Sequence, residues 1–97
     1  MSAQANIHLF DRAITDITTA IDWYQEQRVG LELELLDYLI VNLSQVLRFP
    51  HMYRAFGGGF RQLALKKFPY LVIYRVQNDR CYVFAIFHTA QDPSKLI

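Results

Sequence analysis

Arg61, Arg75 and His88 stand in residues 60–93, FRQLALKKFPYLVIYRVQNDRCYVFAIFHTAQDP, with Tyr70 and Tyr74 between them. Arginine grips phosphate with a planar fork of donors, a tyrosine ring stacks on a base, and histidine moves a proton near neutral pH. Together they could bind RNA and cleave it through an attacking 2′-hydroxyl. His88 or a tyrosine would handle protons while Arg61 and Arg75 stabilise the pentavalent phosphate. Each residue also has a plainer reading: solvated strand positions for the arginines, a hydrogen-bonded strand-end imidazole for His88, and a core ring with a satisfied hydroxyl for Tyr74.

Three strands must position these groups. In residues 60–68, Leu63 and Leu65 alternate with polar or small neighbours, the period of a half-buried strand. Residues 70–77 and 80–88 are denser in Val, Ile, Tyr and Phe, as strands with more neighbours require. Asn78-Asp79 suits a two-residue hairpin turn, because both tolerate positive φ. Pro69, with no N–H to give a ladder, marks the other turn. The expected result is an antiparallel meander, within which adjacent Tyr74 and Arg75 face opposite ways.

Upstream, Ile7 and Leu9 give residues 5–10 the look of a short strand added to the meander. Asp11 is a good N-cap for a helix ending near Arg28, with Ile14, Ile17, Ile21 and Tyr24 on one stripe and Ala13 and Ala20 keeping it slim. Gly30 stops this helix or reverses the chain. A second helix over 31–48 carries Leu36, Leu39, Ile40, Leu43, Val46 and Leu47 on one face, and Leu31, Leu33, Leu35, Tyr38 and Val41 widen its apolar arc. The excess, with Leu33, Tyr38 and Val41 as its marks, implies either a partner or self-association surface or deeper burial within the domain. Pro50 ends the helix and residues 51–59, HMYRAFGGG, read as a loop. Its three glycines lack the Lys-Ser or Lys-Thr and the following helix of a phosphate cradle. The fold expected is α+β, a helical hairpin on one face of an antiparallel sheet, one domain over residues 1–97.

Charge is divided along the chain although the formal net is only +1. Residues 1–47 hold two basic and seven acidic side chains, and residues 48–97 eight basic and two acidic. The basic half, with Lys66, Lys67, Tyr70, Arg80 and Gln91 as its binding set, is expected to meet an anionic target or an acidic partner; mutual complementation of the two halves is the plainer alternative. Cys81, the single cysteine, reads as a small buried hydrophobe and fits a reducing compartment. His8, His51 and His88 are too scattered for a metal site, and no cofactor is expected. With no leader and no apolar run near the ~20 residues of a membrane span, a cytoplasmic protein with no membrane association is expected.

The segments DITTAIDWYQEQRVGL (16–31), LRFPHMY (47–53), FRQLALKKFPYLVIYRV (60–76) and VFAIFHTAQDP (83–93) resemble the RelE/ParE superfamily of bacterial toxins. The 16–31 motif is most similar to the ParE-like, plasmid-stabilisation branch. The resemblance implies the toxin of a type II toxin–antitoxin pair, held by a small cognate antitoxin, with a homodimer or a toxin–antitoxin hetero-oligomer as the expected assembly. ParE-like members inhibit DNA gyrase without being nucleases, while RelE-like members cut messenger RNA in the ribosome without a metal. Arg61, Arg75 and His88 match recurrent family positions, catalytic only on the nuclease branch. Gln91 stands where many relatives carry Arg in the closing H-x-x-R-DP. Growth arrest through gyrase is therefore the first expectation and ribosome-dependent mRNA cleavage the second. The third is a degenerate toxin retained only to bind its antitoxin.

Overall fold

A computed structural model describes residues 6–89. The elements are β1 (Ile7–Leu9), α1 (Asp11–Gln27), α2 (Leu31–Arg48), β2 (Arg54–Gly57), β3 (Phe60–Ala64), β4 (Tyr70–Gln77) and β5 (Arg80–His88). The five strands form one sheet in the order β1-β5-β4-β3-β2. The α+β class follows expectation, as do the bounds of α2, β4 and β5. Asn78 and Asp79 turn the β4–β5 hairpin at φ 53° and 61°. That positive pair is what a tight hairpin demands for its twist to match the strands.

Four details differ from the sequence reading. Residues 51–59 are not all loop, since Arg54–Gly57 pairs antiparallel with β3. β3 stops at Ala64 rather than 68, because Leu65 and the following residues turn toward Pro69. β1 adds parallel to β5, so the sheet is mixed. Phe10, not Asp11, is the N-cap of α1, and its side chain makes no cap bond; Asp11 is the first helical residue, where a carboxylate still meets the positive end of the helix dipole.

The core lies between the helices and one face of the sheet. Val46, Val72, Tyr74, Cys81 and Val83 are fully buried there. α1 presents Ala13, Ala20 and Tyr24 to this layer with Ile17 partly buried, while Ile14 remains 48% exposed. The stripe is thus turned from the isoleucines toward the alanines, whose small side chains let α1 approach β5 closely. On α2 the inward set is Leu35, Leu39, Leu43 and Val46. Gly30 takes φ 89° between the helices, where an L side chain would be strained.

β5 carries an irregularity that organises everything beyond it. Ile73 pairs with Ala85 and Tyr74 with Val83, so Phe84 is an extra residue with no partner on β4. Such a bulge places two successive side chains on one side of a strand. Val83 faces the helices, Phe84 and Ala85 both face away, and Ile86 and His88 return to the helix side.

Candidate functional site: two faces of a basic sheet

The described strands carry Arg54, Arg61, Arg75 and Arg80 and not one carboxylate. Seven carboxylates lie on the two helices. The charge asymmetry of the sequence is therefore a layer asymmetry, acidic helices on a basic sheet.

On the face away from the helices, a row of rings crosses the sheet. His8 lies 4.8 Å from Phe10, Phe10 stacks on Phe84 at 4.5 Å, Phe84 meets Phe60 edge-on at 4.9 Å, and Phe60 lies 6.1 Å from Phe56. Tyr82 joins beside His8 at 5.9 Å. The Arg75 guanidinium sits 5.4 Å above the Phe60 ring. Gly59 makes room for it, since a Cβ there would stand 3.3 Å from Arg75 Nε. The register puts Arg54, opposite Gln62, and Arg80, opposite Gln77, on this same face. Phe10 and Phe56 are 37% and 51% exposed. The sequence reading missed this row. Its signal is parity, with His8 and Phe10, Tyr82 and Phe84 each two residues apart, while Phe56 lies on β2, a strand the pattern does not show.

The structure does not bring Arg61, Arg75 and His88 together. Arg61 is paired with Tyr74 on the helix side, and its guanidinium donates to the Tyr53 carbonyl at 2.7 Å and to His51 Nδ1 at 3.1 Å. Arg75 is on the opposite face. His88 pairs with Tyr70, its ring 5.2 Å away and perpendicular. Tyr70 and Tyr74 are four residues apart on β4, roughly 13 Å at about 3.3 Å per residue. The Tyr74 ring is wholly buried but its hydroxyl has no hydrogen-bond partner, so the expected satisfied hydroxyl is not found; burial pushes its pKa well up.

The remaining binding candidates have mixed placements. Lys66 and Lys67 lie between β3 and β4, and both their backbone N–H groups donate to the Tyr38 hydroxyl, at 3.2 and 3.3 Å. Lys67 Nζ also reaches Glu34 at 3.3 Å. Tyr38 thus ties α2 to this loop, while Leu33 and Val41 are about three-fifths exposed, at 60% and 59%. Gln91 lies outside the described residues. Cys81 is buried and free, its thiol pushed up to about 12 by burial. Among the described residues no group of three or more His, Cys, Asp or Glu is placed to hold a metal. No described helix is long and apolar enough to cross a membrane.

On the helix side, a cavity of about 350 Å³ opens between α1 and the end of β5. Asp16, Thr19, Ala20, Trp23, Tyr70, Ile86 and His88 line it. β1 is paired to β5 only as far as Val83. Past that point the edge is covered from α1 instead, where Asp16 Oδ2 accepts the Ile86 backbone N–H at 2.9 Å.

No curated protein matches the chain in sequence. A solved structure described as a chromosomal ParDE TA system from P. aeruginosa shares the fold, with TM-score 0.68 and 16% identity, covering 90% of this chain and 98% of that one. The family model for the ParE toxin of the type II toxin–antitoxin system, parDE, matches residues 7–93. That match takes in every described strand and both helices, and the chain belongs to the ParE toxin family.

Proposed function

We propose that this ParE-family toxin arrests growth by protein contact, with DNA gyrase as its target, and that the uncovered face of the sheet is its contact surface. The observation that carries the reading is the row of rings from His8 to Phe56, with Arg54, Arg75 and Arg80 beside it and no carboxylate in any described strand. Aromatic rings and arginines are the residue types that anchor protein interfaces. Unopposed cations favour an acidic partner segment, and the cognate antitoxin of the pair is the partner that would cover them. Cleavage of RNA requires acid, base and charge stabiliser within reach of one phosphate. The separation of Arg61, Arg75 and His88 over two faces supports contact instead.

Supercoiling by purified gyrase tests the proposal. The toxin inhibits it, the antitoxin relieves the inhibition, and the Phe84→Ala/Arg75→Ala double variant loses it. Unaffected gyrase at large molar excess overturns the gyrase assignment. Codon-phased transcript cleavage on induction, lost in Arg61→Ala or His88→Ala, would establish the ribonuclease instead. Antitoxin binding without any growth arrest would identify a degenerate toxin.

A further inference from the structure

The cavity between α1 and the end of β5 differs from the rest of the molecule in its chemistry. Its aromatic wall is built of Trp23, 54% exposed, Tyr70 and the His88 ring, with Tyr24 packed behind, 4.8 Å from Trp23 and 6.2 Å from Tyr70. Among the described residues its lining has one carboxylate, Asp16, whose side chain is 24% exposed, and no lysine or arginine. Asp16 Oδ2 is engaged by the Ile86 N–H and forms an i,i+4 ion pair with Arg12 Nε at 3.7 Å, at a half-exposed side chain where such a pair is weak. The second oxygen, Oδ1, is in no hydrogen bond among the described residues. A fixed carboxylate with one unused oxygen, set among ring faces, is complementary to a planar cation. The guanidinium can donate to Oδ1 and lie against the indole at once. The Tyr70 phenol, pushed up to about 12 by burial and then by neighbouring Tyr24 and Asp16, stays protonated, so Asp16 is the anion of the cavity.

We infer that this cavity is a receptor for one arginine side chain of the antitoxin, clamped between Asp16 Oδ1 and the Trp23 ring. The inference rests on the reading that an antitoxin wraps this toxin, and it adds a second, oppositely charged anchor. The wrapping segment meets arginines on the uncovered sheet face and supplies one at the α1 groove. Two sites of opposite sign on opposite faces fix the direction in which a charged segment can lie.

Trp23 is the only tryptophan of the chain, so its emission reports the cavity directly. The probes are N-acetyl-arginine amide and its neutral counterpart N-acetyl-citrulline amide, titrated into the full-length toxin. Saturable change with the arginine probe, weakened about tenfold or more in Asp16→Asn and absent with citrulline, is expected. Asparagine keeps an oxygen for the Ile86 N–H, so this variant retains the fold, which circular dichroism verifies. Equal response to both probes, or no saturation with arginine up to its solubility limit, overturns the inference. In parallel, Asp16→Asn is expected to weaken the antitoxin by about tenfold or more. Unchanged antitoxin affinity in this variant overturns the assignment of the arginine to the antitoxin. If the wild-type chain fails to bind the antitoxin at all, the toxin–antitoxin reading is what fails, and the amide titration still decides the cavity.

Discussion

Arg61 and Tyr74 stand opposite one another across the β3–β4 ladder, yet the guanidinium donates to Tyr53 and His51 and leaves the Tyr74 hydroxyl buried with no partner. A hydroxyl taken from water without a new bond costs stability, and removing it together with its desolvation penalty is close to neutral or favourable. Tyr74→Phe is therefore expected to leave stability unchanged or raise it by up to about 1 kcal/mol. Tyr74→Ala, which empties the centre of the core, should cost about 3–5 kcal/mol. Urea midpoints of the two variants check both signs.

The Arg61 fork is expected to be a tether for the chain between α2 and β2. Arg61→Ala removes the bonds to the Tyr53 carbonyl and the His51 ring and should cost about 1–3 kcal/mol. Amide exchange should accelerate in residues 50–56 far more than in β4. Equal acceleration in both would contradict a local role.

Asp16 closes the edge of β5 where β1 ends. Asp16→Ala strands the Ile86 N–H without its acceptor and should lose about 1–3 kcal/mol, with Asp16→Asn losing less. Thermal or urea unfolding of the pair separates the two effects.

Three buried acids, Cys81, Tyr70 and Tyr74, set an alkaline limit. The Cys81 thiol has an ordinary value of 9.0 and is pushed up to about 12 by burial; the Tyr70 phenol goes from 10.0 to about 12, chiefly by burial. Each ionises earlier in the unfolded chain, so the unfolded state sheds protons first and stability falls as pH rises from about 9 toward 12. Urea midpoints measured at rising pH should decline, and less steeply in Cys81→Ala. The native thiol should also resist alkylation at pH 8 and react once urea unfolds the chain.

At the acid end, Glu34 is held below the usual carboxylate value of 4.5 by its hydrogen bonds to Arg28 and Lys67. A lowered folded value gives stability that is present above 4.5 and lost as pH falls through the folded pKa. Because the pair is at the surface, the effect should be small and weaken with salt. Glu34→Gln should flatten the acid limb of the stability profile at low ionic strength.

The sequence was most legible where a segment's own pattern agrees with its surroundings. α2, β4 and β5 begin and end where their apolar runs do, and Asn78-Asp79 adopts the positive φ that its residue types suggest. β2 was hidden because Arg54–Gly57 has no alternation and is followed by two more glycines. It is a strand by virtue of its ladder with β3, a tertiary fact. The face of α1 was read from its largest side chains, whereas close approach to β5 selects the smallest. The opposed faces of Tyr74 and Arg75 followed from parity alone. His88 did not, because the extra residue at Phe84 shifts parity in mid-strand and nothing in VFAIFH announces it.

That one residue amounts to a length code. In a regular β5 the residues at 82, 84, 86 and 88 would share a side, and His88 would stand on the face that carries Arg75. Pairing the same residues without the bulge would carry the imidazole across the sheet and push Phe87 inward in exchange, whereas deleting a single residue at 84 or 85 would remove the bulge and leave both where they are. Which groups of this molecule can ever meet is thus governed by whether the ladder absorbs one extra amino acid at Phe84, a choice that substitution at the interacting positions could not imitate.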